Sequence, residues 1–268
     1  SHSGRYEQMR LTRTWALLPM AALGSIVGQI LYAAHRPDLP SYDNYETSGA
    51  LGDPGKPGLT VVALGDSSIT APGVSQVDDA WIRKVAHALT DRYFVHLRAV
   101  AVGGSKASDV IADQLEPALA AEPDLAIVSV AANDAIRGVP VKRFEQEVEE
   151  IVQALVERGV RVVVVGVGDI GSVPRLPRFL RWYLSARSAQ FDRVSADVAA
   201  RHVGAVKVDV RGDLSEAFRN DQMNFSGDRF HASSYGHEHF AHHISVAVER
   251  ALLDISGPVA SGEEETVG

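Results

Sequence analysis

Four short stretches of this chain carry side chains suited to acyl transfer. Gly65-Asp66-Ser67-Ser68 offers a hydroxyl, and Gly103-Gly104-Ser105-Lys106 a flexible backbone turn. Asn133-Asp134 adds an amide, and Asp228-Arg229-Phe230-His231 an imidazole shortly after a carboxylate. Acyl transfer needs a nucleophile, a base, a group that orients the base, and donors for the oxyanion. Ser67 is the candidate nucleophile and His231 the candidate base. Asp228 reaches the second ring nitrogen if the segment between them curls back. Gly104 can present its backbone N–H with no side chain in the way. Asn133 can donate its amide N–H to the same oxygen. Taken singly, each also fits a plain structural role: Ser67 or Asn133 as a helix cap, Gly104 as a loop glycine, Asp228 and His231 as a surface pair.

The elements around these stretches decide between the two readings. Five apolar runs, Thr60–Leu64, Val95–Val102, Leu125–Ala131, Arg161–Val167 and Ala205–Val210, suit strands buried on both faces of a parallel sheet. Helical patterns alternate with them at Trp81–Leu89, Ser108–Leu119, Val141–Arg158, Ser185–Arg201 and Ser234–Leu252. In Val141–Arg158 the residues Phe144, Val148, Ile151, Val152 and Leu155 form one stripe, which Gly159 ends. The alternation predicts a three-layer α/β fold. Ligands of such sheets bind beyond the carboxyl ends of the strands. Each of the first three candidate stretches directly follows a predicted strand, and an irregular segment after the fifth leads to Asp228 and His231.

In this order, GDSS at 65–68, AVGGSKASDV at 101–110, AAND at 131–134 and DRFH at 228–231 resemble the four sequence blocks of the SGNH/GDSL hydrolases. The resemblance covers roughly residues 60–253. It implies a flavodoxin-like parallel five-stranded sheet with helices on both faces, and a serine esterase or lipase that needs no cofactor or metal. Carried over by position, Ser67 is the nucleophile and Asp228 and His231 complete the triad. The N–H groups of Ser67 and Gly104 and the amide of Asn133 form the oxyanion hole. Three positions depart from the usual blocks: Ser68 stands for a leucine, Ala99 for an asparagine and Ala132 for a glycine. The substrate class implied is an ester, of a lipid or of an acylated envelope glycan. An acyltransferase with the same triad, or a non-catalytic envelope scaffold, are the alternatives.

Charge and composition narrow the partners. The formal net charge is -8 with a pI near 5.7, so no basic field is present to grip nucleic acid. The chain has no cysteine, which excludes disulfides and thiolate chemistry. Trp15 to Ala34 carries no charge and follows Arg5, Arg10 and Arg13. As a helix it would span about 30 Å, the thickness of a bilayer core. The expectation is a transmembrane anchor at 15–34 after a cytoplasmic segment 1–14, with the catalytic domain outside the cytoplasm. A cleaved signal peptide, giving a secreted protein, and a buried helix are the competing readings. Residues 35–59, rich in Pro, Gly and Asp, read as a linker. Residues 254–268 read as a disordered acidic tail.

Two stretches remain outside this scheme. His237-Glu238-His239 with His242-His243 lacks the second histidine of a zinc-protease HExxH, since Ala241 takes its place. It reads as a polar helix face. Pro174–Leu184 mixes Arg175, Arg178 and Arg181 with Phe179, Trp182 and Tyr183. A lid, a membrane-facing patch and an ordinary connection all fit it.

Overall fold

A computed structural model describes residues 39–253, together with Gly24 and Gly28 ahead of them. The expected segment 1–14, anchor 15–34 and tail 254–268 lie outside the described residues, apart from those two glycines. Among the described residues no helix is long and apolar enough to cross a membrane.

Six strands form one sheet: β1 (Gly49–Leu51), β2 (Gly58–Gly65), β3 (Phe94–Ala99), β4 (Leu125–Ser129), β5 (Arg161–Val164) and β6 (Ala205–Lys207). Their order is β1-β3-β2-β4-β5-β6. β2 to β6 run parallel, and β1 pairs antiparallel with β3. The five expected strands are therefore present, but the sheet is six-stranded and mixed. The parallel part has the flavodoxin order, which reverses direction beside β2. The extra strand lies inside the stretch read as a linker. From Leu39 onward that stretch belongs to the domain: Thr47, Leu51 and Leu59 are buried, and the Tyr45 N–H donates to the Thr70 carbonyl at 2.8 Å. β1 escapes a periodicity argument because it is three residues long and buries only Leu51.

The helices are α1 (Ser67–Thr70), α2 (Trp81–Leu89), α3 (Ala107–Asp109), α4 (Leu115–Leu119), α5 (Ala132–Ile136), α6 (Val141–Val156), α7 (Arg178–Arg201), α8 (Asp213–Asn220) and α9 (Ser234–Leu253). A π-helical turn, Val110–Gln114, joins α3 to α4. Pro117 follows it in α4; it has no N–H for the carbonyl of Asp113, which favours a widened turn just ahead. Side chains alternate across the central strands. Val61, Ala63, Leu125, Ile127 and Val163 face the layer built by Trp81, Ile82, Val85, Ile244 and Val248. Val62, Leu64, Ala126, Val128 and Val162 face Phe144, Ile151, Leu155 and Phe191. Burial on both faces explains why these strands read as unbroken apolar runs.

α7 starts at Arg178, a turn and more before the expected Ser185. Pro177 precedes it with φ -56°, a value already suited to a helix start. The first two turns leave Phe179, Trp182 and Tyr183 exposed, so no buried stripe announces them.

Candidate active site

β2 ends in Gly65 at φ +146°. A Cβ there would stand 1.9 Å from the Ser129 carbonyl oxygen, so only glycine lets β2 run this close to β4 before turning. Asp66 caps α1, accepting the Ser68 N–H at 2.9 Å. Ser67 is the first residue of α1, so its backbone N–H lies outside the intrahelical ladder. Both of these favour an exposed hydroxyl and a free donor at one point.

After β4 the chain enters α5, which carries Asn133. Its Nδ2 donates one hydrogen to Asp66 Oδ2 at 3.1 Å, leaving a second for another acceptor. Burial raises the Asp66 carboxyl, against hydrogen bonds from Ser68 and Asn133 and the nearby His231 that lower it. Asp66 thus aims the Asn133 amide as well as capping α1, a role the sequence reading did not assign. Ala131, which opens α5, sits at φ 133°, strained for a residue with a Cβ. The departure noted at Ala132 carries no such strain; the costly alanine is one residue earlier.

Asp228 and His231 meet as expected. Their segment closes as a short hairpin: Ser226 N–H donates to the His231 carbonyl at 2.8 Å, and Phe225 bridges Ala232. Arg229, at φ 59°, makes the turn. His231 Nδ1 lies 2.6 Å from Asp228 Oδ2. Asp228 Oδ1 accepts from Ser226 Oγ, Phe230 N and His231 N at 2.7, 2.8 and 3.0 Å. Burial pushes the Asp228 carboxyl up, and these hydrogen bonds overcome it and hold it well below the usual carboxylate range. An ionised, fully bonded Asp228 fixes the ring so that Nε2 is left to face the cavity.

Ser67, Asn133 and His231 line one cavity of about 180 Å³, walled by Val167, Ile170, Leu214, Phe218 and Phe240. Gly104, at φ +85°, does not line it. It stays on the same rim, since the Val102 N–H donates to the Gly65 carbonyl at 3.2 Å. Two buried side chains pin that loop. Gln114, in the π turn, accepts the Gly65 N–H at 2.8 Å and donates to the Gly65 carbonyl at 3.0 Å and to Ser105 Oγ at 3.1 Å. Asp134 accepts the Ala107 N–H at 3.2 Å, tying α3 to α5; burial pushes its carboxyl up to about 6. Neither pin has a signal in the sequence, because each depends on elements that meet only in the fold. Ser105 is buried in this network, away from any nucleophile role. His237 is buried too: it accepts the Trp81 N–H at 3.0 Å, and burial pushes its pKa down to about 3, so it is neutral.

The class defined here is an α/β protein with a serine-hydrolase arrangement beyond the carboxyl edge of its sheet. Residues 63–239 match the GDSL-like lipase/acylhydrolase family, and this chain belongs to it. It is 26% identical over 199 residues to a GDSL-like esterase of Mycobacterium tuberculosis, Rv1075c. That match takes in 72% of this chain and 63% of the relative, so the chain spans less than two thirds of that protein. Among solved structures, TesA superposes with a TM-score of 0.59 at 22% identity, covering 72% of this chain and 99% of TesA. Axe2, an acetylxylan esterase from Geobacillus stearothermophilus, gives 0.58 at 18%, covering 75% and 95%. At those identities the likeness is one of fold.

Proposed function

We propose that this chain is a membrane-tethered serine esterase that cleaves a carboxylic ester through an acyl-enzyme on Ser67. The observation that carries the reading is the 2.6 Å Asp228–His231 pair at a cavity that Ser67 and Asn133 also line. Ser67 Oγ attacks the ester carbonyl while His231 Nε2 takes its proton. The carbonyl oxygen gains charge and is met by the free hydrogen of Asn133 Nδ2 and by the N–H groups of Ser67 and Gly104. His231 then gives the proton to the leaving alcohol. Water, deprotonated by His231, attacks the acyl-enzyme, releases the acid and restores Ser67. The apolar walls of the cavity suit an acyl chain over a strongly polar group, which favours a lipid or O-acyl envelope ester. The tether rests on the charge-free stretch Trp15–Ala34 and the arginines ahead of it, which hold the N-terminus in the cytoplasm and the domain outside.

The test is hydrolysis of p-nitrophenyl esters and labelling by a fluorophosphonate. Ser67→Ala should lose at least about a thousandfold in turnover, keeping only binding and oxyanion stabilisation, and should not label. Labelling that persists in Ser67→Ala, or maps to another serine, overturns the assignment.

A further inference from the structure

Beside the mouth of the cavity this acidic chain becomes cationic and apolar together. From Ile170 to Phe191 the sequence holds Arg175, Arg178, Arg181 and Arg187 and no acidic residue, in a chain of net charge -8. Over the first two turns of α7 the outward stripe is Arg178, Phe179, Trp182 and Tyr183. Trp182 is 79% exposed and Tyr183 48%, an unusual loss of apolar area to water for a helix that buries its other face. α7 packs on the turn Ile170–Ser172, which lines the cavity, and on α5, whose Ile136 lines it and is 36% exposed. The Arg175 N–H donates to the carbonyl of Arg229, an exposed cation in the Asp228–His231 turn. Arg181 is tied to the Leu176 and Pro174 carbonyls and Arg187 to those of Ala135 and Val139, so the exposed cations that share this rim with the aromatics and the cavity mouth are Arg178 and Arg229.

The chain enters the domain on the same rim. A Cβ at Gly227 would fall 2.7 Å from Tyr42 Oη and 3.2 Å from Pro40 Cγ, so residues 40–42 lie directly on the loop that carries Asp228. Asn44 reinforces this path, accepting from Thr70 Oγ1 at 2.5 Å. Only His35, Arg36, Pro37 and Asp38 separate Leu39 from the charge-free stretch that ends at Ala34. Fully extended, that connection spans under about 20 Å.

We propose that the stripe Arg178–Tyr183 seats the cavity mouth on an anionic phospholipid surface, so that the ester enters from the bilayer. Aromatic rings at the headgroup level and arginines against anionic headgroups are the chemistry such a surface selects. The entry point of the chain orients the domain the same way. The choice of a bilayer-borne substrate rests on the hydrolase reading above, and the orienting role of the entry point on the tether; the docking of the stripe rests on neither.

The experiment uses the full chain in vesicles of phosphatidylcholine with or without phosphatidylglycerol, in a Trp15→Phe background. Trp81 is buried, so quenching by brominated lipid reports on Trp182. Trp182 should be quenched in the anionic vesicles and much less in pure phosphatidylcholine. Arg178→Glu should remove most of the quenching. It should also slow hydrolysis of a vesicle-borne ester at least about fivefold, the scale expected for one interfacial arginine. Hydrolysis of p-nitrophenyl acetate should stay within about twofold, which shows that the fold and site are intact. Trp182 unquenched in anionic vesicles overturns the proposal. So does a chain that pairs with a second copy through the stripe and leaves the lipid. A chain inactive on every ester but quenched at Trp182 refutes the hydrolase reading and keeps the docking.

Discussion

At the residue scale, the site is held by side chains that serve two neighbours at once. Asp66 caps α1 and orients Asn133; Asp228 accepts three hydrogen bonds at Oδ1 and still holds the imidazole through Oδ2. Such groups cost little strain. Ala131 is different. Its φ of 133° places a Cβ where backbone sterics oppose it, two residues ahead of Asn133. Strain of this kind costs about 1–3 kcal/mol, and glycine gives back about 0.5–1 kcal/mol as chain entropy. Ala131→Gly should therefore stabilise the domain by roughly 1 kcal/mol in urea unfolding, with activity retained. A destabilised variant shows that the backbone there is not strained.

At the element scale, three strand ends must be held in register, and two buried pins do it. Gln114 pairs with both backbone groups of Gly65 and with Ser105, joining the turn before Ser67 to the Gly104 loop. Gln114→Met keeps the volume but leaves the Gly65 N–H unpaired, at about 1–3 kcal/mol, while the Gly65 carbonyl keeps the Val102 N–H. The melting temperature should fall, and kcat should drop by about a hundredfold while KM changes little, because a displacement near 1 Å disturbs attack geometry. Unchanged kcat in a destabilised variant assigns Gln114 to stability alone. Asp134 is the second pin. Its folded-state carboxyl, near 6, binds a proton more tightly than the unfolded value near 3.8. Its contribution is thus present below the unfolded value and is lost as pH rises through about 6. Asp134→Asn keeps an acceptor for the Ala107 N–H and removes that slope. The melting temperature of the variant, minus that of the wild type, should grow between pH 4 and pH 7. A flat difference means that burial does not perturb Asp134.

At the scale of the whole molecule, the order β3-β2-β4-β5-β6 brings the ends of β2 and β4 together where the sheet reverses direction. Ser67 and Asn133 follow those two strands. The segment from Leu39 to Gly58 wraps one edge of the sheet and leaves the domain beside Gly227. The proposed tether would join the domain there. Protease added outside intact spheroplasts should therefore digest the domain, and the mature N-terminus should lie ahead of Trp15. A mature chain that begins after Ala34 is secreted, and a domain protected until lysis is cytoplasmic; either result removes the tether.

The fold class was legible because buried parallel strands need apolar residues on both faces, which leaves runs such as Val61–Leu64 and Arg161–Val164. Ser67, Asn133, Asp228 and His231 stand out as candidates because each sits in a local block, and the Asp228–His231 contact closes within one turn. What tertiary structure alone decided lies between elements. β1 exists because β3 offers it an edge, not because three residues prefer a strand. Asp66 reaches Asn133, Gln114 reaches Gly65 and Pro40 reaches Gly227 only after the sheet has brought distant segments together. Contacts of that kind leave no periodic pattern, because burial and partnership at such positions come from a neighbour far away in the chain.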